Sequence, residues 1–109
     1  MQKFILLLDL KNQTELINEY EEHHKNIPLA IKKSILEAGI FEMNLFRFED
    51  RLVMEILADD QFSFENKNRI DQNNQDVQRW ETLMSKYQKT LPNTPDGVKW
   101  VLTKQIFSL

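Results

Sequence analysis

The sequence predicts an α+β fold in which one antiparallel sheet carries helices on a single face. Two observations predict it. Apolar residues recur in two kinds of pattern, short near-continuous or alternating runs that suit strands and longer stretches with a period of about 3.6 that suit helices. The two kinds follow one another as strand, helices, strand, strand, helices, strand, with the two glycines of the chain, Gly39 and Gly97, falling between elements. At 109 residues the chain is expected to form one domain spanning residues 1–109, large enough for one modest core.

Taken in order, Phe4–Leu10 is almost entirely apolar and reads as a strand buried on both faces. Asn12 to Glu15 has the form of a capping box, and Leu16, Tyr20 and then His23 or His24 continue one face of the helix it would open. Pro28 suits the first turn of a second helix with Ile31, Ile35 and Ala38 on its apolar face, stopped by Gly39. Ile40–Phe48 sets Phe41, Met43 and Leu45 against Glu42 and Asn44 and reads as a strand. Glu49–Asp50 connects it to a second hairpin arm, Leu52–Ala58. Asp59–Asp60 is expected to cap a helical segment from Phe62 to Ile70, followed by a turn at Asp71–Asn74. Val77, Trp80, Met84 and Tyr87 then mark an amphipathic helix, Leu91–Lys99 with two of the three prolines a loop, and Trp100–Phe107 a last strand.

This order is the ferredoxin-like split βαβ plan, βαββαβ. One sheet face would be left without helices, yet the strands supply apolar residues to both faces, Phe46 and Phe48 as well as Phe41 and Leu45. That predicts a homodimer with two sheets face to face, a ligand pocket on the bare face, or both.

Composition narrows the chemistry. With 41% hydrophobic and 28% charged residues the chain belongs among soluble globular proteins. A net charge of −3, with basic residues scattered among acids, argues against a nucleic-acid partner. The run Phe4–Leu8 is too short for a membrane span and is interrupted by Asp9, so no membrane partner is expected. The absence of cysteine removes disulfides and thiol catalysis and fits a cytoplasmic location. Two glycines cannot build a phosphate loop. His23 and His24 are adjacent and lack the spacing of a metal site, so neither a metal nor a cofactor is expected.

Acid/base chemistry near neutral pH must then run through a histidine or a tuned carboxylate. His24 lies one helical turn from Tyr20, which puts a phenol and an imidazole on one face, whereas His23 points about 100° away. Each candidate also has a plainer reading. His24 reads as a helix-end histidine whose charge the helix dipole favours, Tyr20 as a core-edge aromatic, Trp80 as core packing and Glu81 as a solvated charge.

Tyr20 and His24 on the first helix, Gly39 before the second strand, Arg51–Leu52 opening the third, and Trp80 on the last helix are also a family pattern. With Leu91–Pro92, Trp100–Val101 and the ending Ile106-Phe107-Ser108-Leu109, the chain resembles the L-rhamnose mutarotase family over essentially its whole length. Phe62-Ser63-Phe64-Glu65, Val77 to Glu81 and Lys86-Tyr87-Gln88 resemble a branch linked to L-fucose. The resemblance implies a dimeric α/β barrel of ferredoxin-like chains and a metal-free isomerase that interconverts the α and β anomers of a 6-deoxy-hexose, L-fucose or L-rhamnose. It implies His24 as proton donor, Tyr20 as a contact to a sugar hydroxyl and Trp80 as pocket wall. Met43 stands where many members carry Tyr, and Glu81 where rhamnose-type members carry a second Trp; both are expected at the substrate. Pro28 and Leu29 replace a Trp-Pro pair. Two alternatives remain: a cofactor-independent monooxygenase-like enzyme on the same barrel, and a non-catalytic sugar-binding dimer.

Overall fold

The apolar N-terminal run becomes the central strand, as a segment apolar on both faces must. The computed structural model describes residues 1–109. Its elements are β1 (Gln2–Leu10), α1 (Thr14–Lys25), α2 (Leu29–Glu37), β2 (Ile40–Phe48), β3 (Arg51–Ala58), α3 (Phe64–Gln72), α4 (Gln75–Ser85), β4 (Gln88–Lys89) and β5 (Val101–Leu102). The sheet runs β2-β3-β1-β4, with β5 also beside β1, and every pairing is antiparallel. This is the expected α+β plan with ferredoxin-like strand order.

Register places Leu8 opposite Leu52 and Phe4 opposite Ile56, so Leu6, Leu8, Leu10, Leu52, Ile56 and Ala58 form one buried face. Two clusters grow on it. Ile40 and Phe62 join Leu6, Ile56 and Ala58, with Ile35, Ala38 and Met43 packed around them. At the other end Tyr20, Met84 and Tyr87 join Leu10 and Leu52, with Leu16, Ile17, Leu45 and Trp80 packed around them. Trp100 touches both clusters. On the opposite sheet face Ile5, Leu7, Val53 and Leu57 are only half-buried, and Phe46 and Phe48 are exposed.

Four local expectations are corrected. No capping box forms at Asn12: the chain continues its pairing through Lys11, whose N–H donates to the Tyr87 carbonyl, then turns tightly, and α1 starts at Thr14 after Gln13 with no side-chain cap. Asp59 does not cap a helix either; its carboxylate accepts the Gln61 N–H within a turn, and α3 starts at Phe64, where the Ser63 hydroxyl accepts the Asn66 N–H. Phe41 does not share the inward face of Met43 and Leu45, because a bulge between Ile40 and Glu42 turns it outward. The last strand is much shorter than Trp100–Phe107. The edge beside β1 is divided between β4 at Asp9–Leu10 and β5 at Leu6–Leu7, on either side of a loop holding Pro92 and Pro95, which lack the N–H a ladder needs. Beyond Thr103, which bonds to the Ile5 carbonyl, Ile106 and Phe107 are exposed.

Gly39 is required where it stands. Its φ is +95°, and a Cβ there would lie 2.6 Å from Oδ2 of Asp59, whose own N–H donates to the Gly39 carbonyl. Gly39→Ala is expected to cost about 1–3 kcal/mol from backbone strain, read as a lower urea midpoint at unchanged slope. An unchanged midpoint would contradict this role.

Candidate functional site

α1 is amphipathic, with Leu16, Ile17 and Tyr20 packed against the second core cluster. Tyr20 is buried, and one turn later His24 emerges half-buried at the helix C-terminus. Their rings lie 4.4 Å apart, centroid to centroid. α4, capped by the Asn74 side chain on the N–H groups of Asp76 and Val77, brings Trp80 to the imidazole as well. The Trp80 and His24 rings meet edge to face at 5.5 Å. The stripe Val77, Trp80 and Met84 thus serves both core and site.

The His24 tautomer follows from its neighbour. Nδ1 lies 2.7 Å from the Tyr20 backbone carbonyl, which can only accept, so Nδ1 carries the hydrogen. The neutral ring therefore keeps a bare lone pair on Nε2, for which the chain supplies no partner. Burial holds the His24 pKa below the ordinary value of 6.5, opposed by the carbonyl bond and assisted by His23. Burial pushes the Tyr20 phenol up to about 12, against the effect of a hydrogen bond from Gln88 and with a contribution from Glu81. At neutral pH Tyr20 is a protonated phenol and can donate a hydrogen bond, while His24 is the basic group.

The structure brings Tyr20, His24 and Trp80 together. Glu81 follows Trp80 but is turned to Lys99, whose Nζ lies 2.9 Å from Oε2 and 3.1 Å from the Ser85 hydroxyl. Met43 packs in the neighbouring cluster, and Leu45, two residues along β2, packs against the cluster of Tyr20. His23 diverges from His24 as the helical angle requires, and its Nε2 lies 3.1 Å from the Tyr87 hydroxyl. Two neighbours escape a reading of single residues. Gln88 on β4 reaches Tyr20, and Lys99 holds Glu81 from the loop before β5; the Lys86-Tyr87-Gln88 match is a signal for Gln88, and Lys99 has none. No group of three or more His, Cys, Asp or Glu side chains is placed to hold a metal ion, and no helix is long and apolar enough to cross a membrane.

A family model described as L-rhamnose mutarotase matches residues 3–109. The chain is 35% identical over 111 residues to the L-fucose mutarotase of Xanthomonas campestris pv. campestris, covering 100% of this chain and 89% of that one. In three dimensions it is similar to the L-rhamnose mutarotase of Formosa agariphila, with a TM-score of 0.73 at 16% identity over 100% of this chain and 99% of that one. It is also similar to the tetracenomycin F2 cyclase of Streptomyces glaucescens, a type-II polyketide cyclase, with a TM-score of 0.61 at 19% identity over 100% and 97% of the two chains. The two solved structures speak for the fold alone, since one fold serves unrelated chemistries. The match over residues 3–109 and the 35% identity across the whole chain decide the family: this chain belongs to the L-rhamnose mutarotases.

Proposed function

We propose that the protein is a cytoplasmic sugar mutarotase that interconverts the α and β anomers of a 6-deoxy-hexose, L-fucose before L-rhamnose, through acid/base catalysis by His24. One observation carries the reading. His24 packs against both Tyr20 and Trp80, with Nδ1 committed to a carbonyl and Nε2 free. The 35% identity to an L-fucose mutarotase favours L-fucose.

The chemistry needs little more. Mutarotation opens the hemiacetal and closes it on the other face of the aldehyde. As the ring opens, the bond from C1 to the ring oxygen breaks, the ring oxygen gains a proton and the anomeric hydroxyl loses one. Both oxygens are bonded to C1, so one nitrogen can serve both. Nε2 of neutral His24 takes the hydroxyl proton, and the imidazolium delivers it to the ring oxygen. Rotation about the C1–C2 bond and the reverse transfers give the other anomer with no net change in protons. Tyr20, protonated throughout, donates to a sugar hydroxyl rather than acting as base. Trp80 offers an aromatic surface to the sugar's C–H face, and Met43 and Glu81 complete our proposed contacts.

The pH profile follows with a definite sign. A depressed histidine pKa leaves His24 neutral at pH 7 and above, so the base form is lost only as pH falls below 6.5. Anomer exchange on L-fucose is expected to be level near neutrality and to fall on the acid side of 6.5. The same depression means that the unfolded chain takes up a proton before the folded one. Stability from this group is present above 6.5 and declines as pH falls toward the folded pKa. Exchange that instead rises toward acid pH would overturn His24 as the base.

We further propose a homodimer formed through the bare sheet face. Phe46 and Phe48 there, with Phe107 of the terminal segment, are 57%, 77% and 74% exposed, more large apolar surface than a lone chain ordinarily shows to water. Sedimentation equilibrium is expected to give twice the chain mass of 13.1 kDa. A mass of one chain at micromolar concentration would contradict the dimer.

A further inference from the structure

Gln88 belongs to the two-residue strand β4, where it pairs with Leu10 on the central strand. Its side-chain amide reaches the Tyr20 hydroxyl, whereas His24 bonds the Tyr20 backbone carbonyl. Nε2 donates to the Tyr20 hydroxyl oxygen at 3.4 Å. The other end of the amide, Oε1, is buried and meets no donor. The chain itself therefore satisfies only one end of the amide, and a buried carbonyl left open costs about as much as a lost hydrogen bond. The only partner this amide has is the phenol. The phenol is left in a matching state: its oxygen accepts from Gln88, it is itself buried, and its own O–H finds no acceptor in the chain.

We propose that Gln88 is a positioning residue for Tyr20: by donating to the phenol oxygen, its amide turns the phenol hydrogen away from the chain and presents it to a hydroxyl of the sugar. This deepens the mutarotase reading above and rests on it. The geometry gives Gln88 a reason to be an amide rather than an acid or an apolar residue. A phenol oxygen that already accepts one hydrogen bond has its O–H directed by that bond. Were the amide rotated by half a turn, Oε1 would capture the hydrogen instead and the sugar would lose its donor. Anchoring through the Leu10 pairing fixes where the amide arises on β4.

The test is a double-mutant cycle on anomer exchange with L-fucose, using wild type, Gln88→Met, Tyr20→Phe and the double variant. Met keeps the length of Gln and removes the donor. Gln88→Met is expected to lower kcat/KM by about five- to tenfold, the effect of one hydrogen bond, mainly through KM. In the Tyr20→Phe background the same change is expected to do nothing, because there is no hydroxyl left to orient. An equal loss in both backgrounds would overturn the proposal, since Gln88 would then act on the sugar or on the fold. Gln88→Leu serves in the same cycle if the Met variant melts below the assay temperature.

A second readout needs no sugar. The chain has two tyrosines, so isotope-labelled tyrosine gives two phenol-carbon Cζ resonances, and Tyr20→Phe assigns them. Gln88→Met is expected to shift the Tyr20 resonance and leave that of Tyr87 in place. A Tyr20 resonance that does not move would overturn the proposal. If wild type exchanged no anomers, the mutarotase reading would fail while the resonance still decided whether Gln88 governs the phenol.

Discussion

Replacing His24 by alanine is expected to slow anomer exchange by about 10²–10⁴-fold, the span that a positioned acid/base group contributes. The fold should survive. His24 is half-buried in the last turn of α1, and its one hydrogen bond runs to the Tyr20 carbonyl four residues earlier in the same helix. Loss of the imidazole leaves Tyr20 and Trp80 in place, so sugar affinity should change far less than turnover. Circular dichroism on the variant checks the fold, and exchange spectroscopy on the anomeric protons checks the rate. A folded variant with undiminished exchange would leave the site intact as a pocket and remove its proton carrier.

Tyr87→Ala is expected to destabilise the protein by about 3–5 kcal/mol, as large-to-small changes at buried aromatics do. Tyr87 is 1% exposed and lies just past α4 at the junction of the sheet and the site. Its ring meets Tyr20 edge-on at 6.0 Å and lies 5.6 Å from His23, and its hydroxyl bonds His23. Its backbone carbonyl also accepts the Lys11 N–H. The truncation opens a cavity beneath Tyr20 while leaving that backbone bond. Urea denaturation should show the midpoint fall, and Tyr87→Phe, which removes only the bond to His23, should cost about 1 kcal/mol. Equal losses in the two variants would mean that the hydroxyl, rather than the ring, holds this corner together.

Much of this architecture is legible in residue pattern. The run Phe4–Leu10 had to be central because it is apolar on both faces, and it lies between β3 and the β4/β5 edge. Gly39 had to end a helix because few other residues accept its φ. The pairing of Tyr20 with His24 follows from helical spacing alone, and the structure adds what spacing cannot: which imidazole nitrogen is committed and which is free. Helix starts were harder to place. Asn12 and Asp59 have capping side chains, but sheet pairing at Lys11 and the turn at Gln61 claimed those segments first. The C-terminal strand is shorter than its residues suggest, because apolar Ile106 and Phe107 look the same in sequence whether they face the chain's own sheet or another surface. Gln88 was invisible as a single residue for a different reason. Its contact with Tyr20 spans 68 positions in sequence and depends on a two-residue strand no periodicity can signal.

The central claim is that this chain exchanges sugar anomers. Saturation-transfer proton NMR on the anomeric signals of L-fucose and L-rhamnose, with and without the protein, tests it most directly. The account predicts protein-dependent exchange, faster with L-fucose and dependent on His24. Anomeric signals that exchange no faster with the protein than in buffer, for both sugars, would contradict it.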